Sequence, residues 1–195
     1  MSAADRRAEI LACAAGIARE QGFEHVTLRS VAERSGVTPG LIVHYFAGIE
    51  ELLIEVFREV HPEPTTTDGA TPMAQLVQLL QIWVAPPGGP ERHLWLGAAF
   101  VGQRYPALAA AVREQMGVDR ELLRAVIAEG RATGVFPQGE PAEASLLILA
   151  VIDAALVEVL VGFSELAEQL GELAVVVAER ELGLAEGVLR AALAE

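Results

Sequence analysis

The chain has 195 residues, 52% of them hydrophobic but only 5% aromatic, so it is long and apolar enough to bury a substantial core. Its formal net charge of −13 excludes general electrostatic attraction to nucleic acid or to an anionic membrane, so any DNA contact must be local. The single cysteine, Cys13, excludes an internal disulfide, and the N-terminal residues lack the apolar core of a signal peptide, which predicts a cytoplasmic protein.

The first predicted element is an amphipathic helix in the segment RRAEILACAAGIAREQGF. Ile10, Ala14 and Ile17 fall on one face of this helix, and the charged residues fall elsewhere. The pattern predicts that the helix ends near Gly22.

Two short helices with well-defined starts follow. Thr27 is placed to cap the first of them, and Thr38 is placed to cap the second, with Pro39 as its first residue. Between them, Gly36 allows the positive φ that a tight turn between helices requires. The pattern predicts a helix-turn-helix.

The rest of the chain also has helical patterns. A fourth helix is predicted in GIEELLIEVFREV, followed by a break at residues 62–72, where Pro, Thr and Gly interrupt the periodicity. After the break we expect helices in the following segments: MAQLVQLLQIWV, ERHLWLGAAFVGQRY, residues 106–133, residues 141–163 and residues 165 onward, with an interruption near Gly183. The loop APPGGP separates the first two.

No segment alternates in the way that a strand requires, so we predict an all-α fold. It comprises an N-terminal three-helix helix-turn-helix domain at residues 1–61 and a larger helical domain at residues 62–195. The apolar run at residues 144–163 approaches membrane-spanning length, but Asp153 and Glu158 would each cost about 2.5–3.5 kcal/mol at a bilayer centre. We therefore expect a packing helix there and no membrane contact.

The second helix of a helix-turn-helix lies in the major groove, and residues near its N-terminus contact base edges. In this chain the predicted contact residues of that helix are Thr38, Pro39, Gly40, Leu41, Val43, His44 and Tyr45. Thr27 and Arg29 of the preceding helix are predicted to hold the flanking DNA backbone. The alternative is a structural packing unit, since the caps and the glycine turn explain folding alone.

The segment TLRSVAERSGVTPGLIVHYFAGIEELL, with the amphipathic helix before it, resembles the N-terminal DNA-binding region of TetR-family transcriptional regulators. The resemblance covers roughly Arg6 to Phe57. It implies a homodimer, most often a repressor, that binds a double-stranded and palindromic DNA operator and responds to a small-molecule effector. The resemblance also implies that the remainder is a helical domain for effector binding and dimerisation.

Two positions depart from this family pattern. Members commonly have Tyr at the position of Val43 and Lys at the position of Ile49, and both residues usually contact the DNA backbone. Losing the Lys removes about one neutralised phosphate per subunit and flattens the salt dependence of binding.

The charge of the N-terminal part is also unusual for a DNA-binding domain. Residues 1–60 hold six arginines and nine acidic residues, a net charge of −3. We expect Arg6, Arg7 and Arg29 to cluster on the DNA side, with the glutamates of the fourth helix facing away. An alternative function is a helical small-molecule or protein-binding module whose helix-turn-helix serves only as a scaffold.

The larger domain offers candidates for an effector pocket, since such pockets are mostly apolar with a few polar groups. The candidate pocket residues are Trp83, His93, Trp95, Phe100, Gln103 and Asp153. The aromatic residues are alternatively simple core, and Asp153 is alternatively a buried, hydrogen-bonded carboxylate. The helix at residues 141–163 and the segment GELAVVVAERELG are expected to form a subunit interface.

Catalytic and metal-binding patterns are lacking. The four histidines are scattered, and with one cysteine they give no metal-ligand spacing. Asp153 and Glu158 lie about 140° apart around a helix, so they form no acid–base pair on one face. Without a phosphate loop or a nucleophile arrangement, we predict no enzyme activity, no catalytic residues, no metal and no cofactor.

Overall fold

The computed structural model describes residues 2–61, 70–84 and 92–194, and within these residues it contains ten α-helices and no strand. The helices are α1 (Ala3–Gln21), α2 (Leu28–Ser35), α3 (Pro39–Phe46), α4 (Ile49–Val60), α5 (Pro72–Val84), α6 (Arg92–Gly102), α7 (Pro106–Ala132), α8 (Pro141–Leu160), α9 (Ser164–Leu182) and α10 (Val188–Leu193). The all-α prediction is confirmed. Most of the predicted break after α4 lies outside the described residues, and so does the predicted loop at residues 85–90. The predicted domain boundary, between residues 61 and 62, falls where the first described range ends.

The helix starts follow from local capping. Ser2 and Asp5 form a capping box on α1, in which the Ser2 N–H donates to Asp5 Oδ2 at 2.8 Å and the Asp5 N–H donates to Ser2 Oγ at 3.1 Å. These hydrogen bonds lower the pKa of Asp5. The predicted caps of α2 and α3, Thr27 and Thr38, are confirmed, and Gly36 between the two helices has the predicted positive φ, 65°.

The helices pack as two units, and the first consists of Met1–Glu63 and Pro90–Gln115. It holds α1 to α4, α6 and the start of α7. Its core is built from aliphatic side chains around three fully buried phenylalanines, Phe23, Phe46 and Phe57. The rings of Phe23 and Phe57 meet edge to face with their centroids 6.5 Å apart. The helix-turn-helix therefore rests on a well-packed core.

The second unit consists of Pro64–Gly89 and Met116–Glu195. It holds α5, the rest of α7, and α8 to α10, around a core that includes the fully buried Leu76, Leu79 and Phe136. The three-residue connection between α8 and α9 makes them neighbouring helices of a hairpin. None of the described helices combines the length and apolarity that a bilayer crossing demands.

A buried carboxylate fastens the C-terminal helix of the second unit. Glu179 of α9 is only 4% exposed, and its carboxylate accepts the N–H of Gly187 at 3.0 Å and the N–H of Leu189 at 2.8 Å. These are donors at the start of α10 that no helical carbonyl can satisfy. Glu179 therefore caps α10 from a neighbouring helix.

Candidate nucleic-acid interface

One face of α3 is buried and the opposite face is free. Ile42 and Phe46 are fully buried in the core of the first unit. The exposed residues Gly40, Val43, His44 and Ala47 lie within about 100° of arc around the helix axis, and we call this group the recognition face. The chain therefore folds so that the second helix of the helix-turn-helix presents this face to solvent.

The nine predicted DNA-contact residues divide by exposure. Seven are exposed, namely Thr27, Arg29, Thr38, Pro39, Gly40, Val43 and His44. Leu41 and Tyr45 are half-buried, and Tyr45 packs against the core of the first unit while its ring meets the His44 ring edge to face, with centroids 5.3 Å apart. The predicted residues of α3 thus lie along its exposed side, with Leu41 and Tyr45 at the border of that side.

The start of α3 combines a cap with free polar groups. Thr38 Oγ1 accepts the N–H of Leu41 at 3.3 Å, so its hydroxyl proton remains able to donate. Pro39 supplies the first helical residue, where its missing N–H costs no hydrogen bond. The N–H groups of Leu41 and Ile42 both donate to Thr38, so the first turn of α3 offers the Thr38 hydroxyl proton and the exposed backbone of Gly40.

The turn between α3 and α4 carries the only positive φ of a residue other than glycine in the described part of the chain. Ala47 has φ 43° and the next residue, Gly48, has φ 131°. An alanine in the left-handed region costs about 1–2 kcal/mol, so the surrounding packing holds this turn against strain. Ala47 and Gly48 therefore end α3 after its second helical turn. The sequence pattern did not predict a positive φ at Ala47.

The residues at the start of α2 are engaged with their neighbours. The Thr27 N–H donates to Ser30 Oγ at 3.0 Å and the Ser30 N–H donates to Thr27 Oγ1 at 3.0 Å. Arg29 Nε donates to Glu33 Oε1 at 2.9 Å, and this hydrogen bond raises the pKa of Arg29. Guanidinium has further N–H groups, so Arg29 can hold Glu33 and a phosphate oxygen together.

The expectation that Arg7 faces DNA while the α4 glutamates face away is wrong. The guanidinium carbon of Arg7 lies 4.5 Å from the centroid of the Phe46 ring, and Arg7 Nη2 lies 3.2 Å from Glu55 Oε2 of α4. A guanidinium over an aromatic ring and beside a carboxylate gains from both contacts. Arg7 therefore ties α1 to α3 and α4.

Arg34 has a similar structural role at the other end of the helix-turn-helix. Its Nη1 and Nη2 donate to the two carboxylate oxygens of Glu20 at 2.6 and 2.5 Å, and this pair lowers the pKa of Glu20. Gly16 makes room for the guanidinium, since a Cβ there would lie 3.0 Å from Arg34 Nη2. No local spacing predicts this pair, because its partners lie 14 residues apart.

The first turn of α4 connects the helix-turn-helix to α7. Glu50 Oε1 accepts the N–H of Ala107, in the first turn of α7, at 2.7 Å. Ile49, at the position where a Lys is common, is half-buried against the core of the first unit. The sequence analysis missed the Glu50 contact, which spans 57 residues.

The six predicted pocket residues fall in both units. Trp95 of α6 is half-buried in the first unit, whereas Phe100 is 69% exposed and Gln103, just after α6, is also exposed. His93 lies in α6, and its side chain is outside the described part of the chain. Trp83 and Asp153 are half-buried in the second unit.

Asp153 is half-buried, and its carboxyl group responds to this environment. Burial raises the pKa of its carboxyl group, and the nearby positive charge of Arg120 partly offsets the effect. An open pocket of about 450 Å³ in the second unit lies elsewhere, at the end of α7 and the connection to α8, and among the residues lining it are Arg131, Gln138 and Glu140. Within the described residues, no group of His, Cys, Asp and Glu could hold a metal ion.

Comparison with known proteins matches the same part of the chain. Residues 10–56 match the family model for bacterial regulatory proteins of the tetR family. The HTH-type transcriptional repressor KstR2 of Mycobacterium tuberculosis is 38% identical over 53 residues, which are 27% of this chain and 26% of that protein. The chain therefore matches this relative over about a quarter of that protein's length.

Solved structures extend the similarity to the whole fold. A TetR transcription regulator from Haloarcula marismortui has a TM-score of 0.74 at 24% identity, with 91% of this chain and 98% of that chain covered. A transcriptional regulator from Saccharomonospora viridis, in complex with choline, has a TM-score of 0.73 at 21% identity, with 90% and 96% covered. Residues 10–56 therefore match the tetR family in sequence, and the chain shares its fold with solved TetR regulators.

Proposed function

We propose that the chain is a transcriptional regulator that binds double-stranded DNA through α3. The observation that carries the proposal is the recognition face, which is exposed while Ile42 and Phe46 on the other side of α3 are fully buried. Thr38 and Pro39 extend this surface at the N-terminal end of the helix, where base contacts are made in a helix-turn-helix. Thr27 and Arg29 would then hold the flanking phosphates.

The proposal includes a homodimer, for which α8 provides support. Six apolar residues of α8 or its C-terminal end are exposed and lie within about 100° of arc, and we call them the α8 stripe. The stripe consists of Leu146, Leu147, Ala150, Ala154, Val157 and Val161. Exposed apolar rows of this length are typical of subunit interfaces.

The neighbouring helix α9 extends this apolar surface. Leu166 is 42% exposed and Leu173 is 45% exposed, and they are seven residues apart on one helix face. Two α8–α9 hairpins related by a two-fold axis would bury these residues in a four-helix bundle. The dimer would present two copies of α3 to two half-sites of a palindrome.

We further propose that the chain is a repressor that responds to a small-molecule effector, with the division at residues 61 and 62 separating DNA binding from effector binding and dimerisation. The repressor role is supported by the 38% identity to the repressor KstR2 over 53 residues. Trp83 and Asp153 are the pocket candidates within the second unit. An effector shifts the DNA-bound state only if it binds one of two conformations more tightly.

The test is a selection of bound sequences from a random duplex library, followed by fluorescence anisotropy on the enriched duplex. We expect a palindromic sequence whose binding weakens with salt. Tyr45→Ala and Arg29→Ala should both weaken it, whereas Arg124→Ala, on α7 and paired with Glu121 in the second unit, is the matched control. Absence of any enriched sequence, or equal binding by all variants, would contradict the proposal.

A further inference from the structure

The side chains of α3 lack the groups that usually distinguish bases by hydrogen bonding. Paired hydrogen bonds to guanine come from Arg or Lys, and those to adenine come from Asn or Gln. The sequence of α3, PGLIVHYF, contains none of these four residue types. Its hydrogen-bonding side chains are His44 and Tyr45, preceded by the cap Thr38.

The recognition face is instead mainly apolar and shallow. Val43 is 43% exposed in its centre, and Ala47 is exposed one turn later. At Gly40 an added Cβ would meet no atom within 4 Å, so the space in front of this backbone is open. Together with the exposed Pro39, these residues present methyl and methylene groups beside an accessible stretch of backbone.

The arginines of α1 and α2 do not supply the missing donors on this face. Four of them have acidic partners in the structure: Arg6 with Glu9, Arg7 with Glu55, Arg29 with Glu33, and Arg34 with Glu20. The Arg7 guanidinium also lies over the Phe46 ring. Their first role is therefore to hold the helices in place or to balance nearby carboxylates.

Thymine is the base whose major-groove edge is complementary to such a surface. Its C5-methyl group is the one apolar feature that a base presents there, and it lies on a defined side of the pair, so T·A and A·T are distinguishable by contact with it. Gly40 allows the helix backbone to approach the base pairs closely.

We propose that the recognition face identifies its operator by apolar contact with thymine C5-methyl groups, through Val43, Pro39 and the surface around Gly40. This inference rests on the proposed DNA-binding function and adds the chemical basis of its specificity. It predicts that each selected half-site contains at least one essential thymine in the segment facing the N-terminal half of α3. His44 and Thr38 then add polar contacts beside these methyl groups.

The test replaces thymine by deoxyuridine in the selected duplex, one position at a time, with the full-length chain as the binding protein. Deoxyuridine lacks only the C5-methyl group, so base pairing is kept. Losing a buried methyl contact should weaken binding about fourfold, or about fifteenfold when both half-sites of the palindrome are substituted. Deoxyuridine at a thymine outside the half-sites is the control for general effects on the DNA.

A Val43→Ala variant tests whether Val43 is the residue that contacts the thymine methyl group. Val43 is exposed and alanine is a good helix former, so this variant should keep the thermal stability of the wild type. We expect it to bind the thymine duplex more weakly and to lose most of its sensitivity to deoxyuridine at one half-site position. Sensitivity that is unchanged at every position would overturn the role of Val43.

The outcomes separate this inference from the proposed function. If a sequence is selected but contains no thymine in its half-sites, or if deoxyuridine changes no affinity, the inference is overturned and the DNA-binding function stands. If no sequence is enriched, both are overturned. Position-specific loss that depends on Val43 supports both.

Discussion

The recognition face and the α8 stripe are both exposed and apolar, but they differ in size and in continuity. The recognition face lies on an eight-residue helix and combines Val43 and Ala47 with a glycine and a histidine. The α8 stripe runs along a 20-residue helix without an exposed polar residue between its members on that arc. Exposure of apolar groups alone therefore does not identify a partner. A short, interrupted apolar face matches contact with base edges in a DNA groove, whereas a long, continuous one matches an interface with a second copy of the chain.

The two surfaces are also supported differently. The helix-turn-helix is held by side-chain hydrogen bonds and ion pairs at its ends, including Thr27 with Ser30 and Arg34 with Glu20. The α8 stripe is supported by packing of α8 against α9, with Ala144, Ile148 and Ile152 buried on its inner side. Changes at one surface should therefore leave the other intact.

The largest expected effect comes from a charge in the α8 stripe. Ala154→Asp would place a carboxylate from each subunit in the proposed interface, and an unpaired buried charge costs about 3–5 kcal/mol, so the dimer dissociation constant should rise roughly thousandfold. Ala110→Asp on α7 is the matched control, because Ala110 is also an exposed helical alanine. Sedimentation velocity measures both. Equal dimer dissociation constants for the two variants would show that the α8 stripe is not part of the dimer interface.

The next effect concerns the second unit alone. Glu179→Ala leaves the N–H groups of Gly187 and Leu189 without their acceptor, and we expect a loss of about 3 kcal/mol in the free energy of unfolding. Urea denaturation gives this loss, and limited proteolysis should show earlier cleavage near α10. Glu186→Ala, at an exposed position, should change neither quantity. A Glu179→Ala protein as stable as this control would show that the cap is dispensable.

A smaller effect separates folding from DNA contact at α3. Gly40→Ala should raise stability by about 0.5–1 kcal/mol, since alanine favours a helix, while it lowers affinity for the selected duplex about tenfold by blocking close approach. Gly117→Ala on α7 is the control, since a Cβ there also meets open space. It should raise stability without changing DNA affinity. Unchanged DNA affinity in Gly40→Ala would contradict the close approach.

The smallest effect is a pH dependence at Asp153. Its folded-state pKa is raised above the ordinary value of 3.8, so the folded protein binds this proton more tightly than the unfolded chain does. The stabilisation from this tighter proton binding is fully present below pH 3.8, and it is lost as pH rises through the folded-state pKa. Asp153→Asn should therefore be slightly more stable than the wild type at pH 7, by less than about 1 kcal/mol, with the difference vanishing near pH 3. The opposite sign in thermal denaturation would contradict the assignment.

Local signals were sufficient to predict the helix-turn-helix. Thr38 and Pro39 mark the start of α3, and Gly36 marks the turn before it, because each acts through the backbone within four residues. The capping box of Ser2 and Asp5 is equally local, and its spacing could have predicted the start of α1. For these elements the sequence pattern alone determines the structure.

Long-range contacts were beyond sequence reasoning. The Glu50 cap on Ala107 and the position of Arg7 over Phe46 depend on how α1, α4 and α7 come together, which no local spacing encodes. Arg7 was therefore expected on the DNA side, although it pairs with Glu55 of α4. The six pocket residues and the nine DNA-contact residues remain predictions, because their partners are molecules outside the chain.

The most direct measurement is the ratio of dissociation constants for the selected duplex and for a scrambled duplex of the same base composition, taken at two salt concentrations. We expect a ratio of about 10³ or more that changes little with salt, because uncharged groups on the recognition face discriminate between the two sequences. Both affinities should fall with salt together. A ratio near one, or a ratio that disappears as salt increases, would contradict sequence recognition by α3.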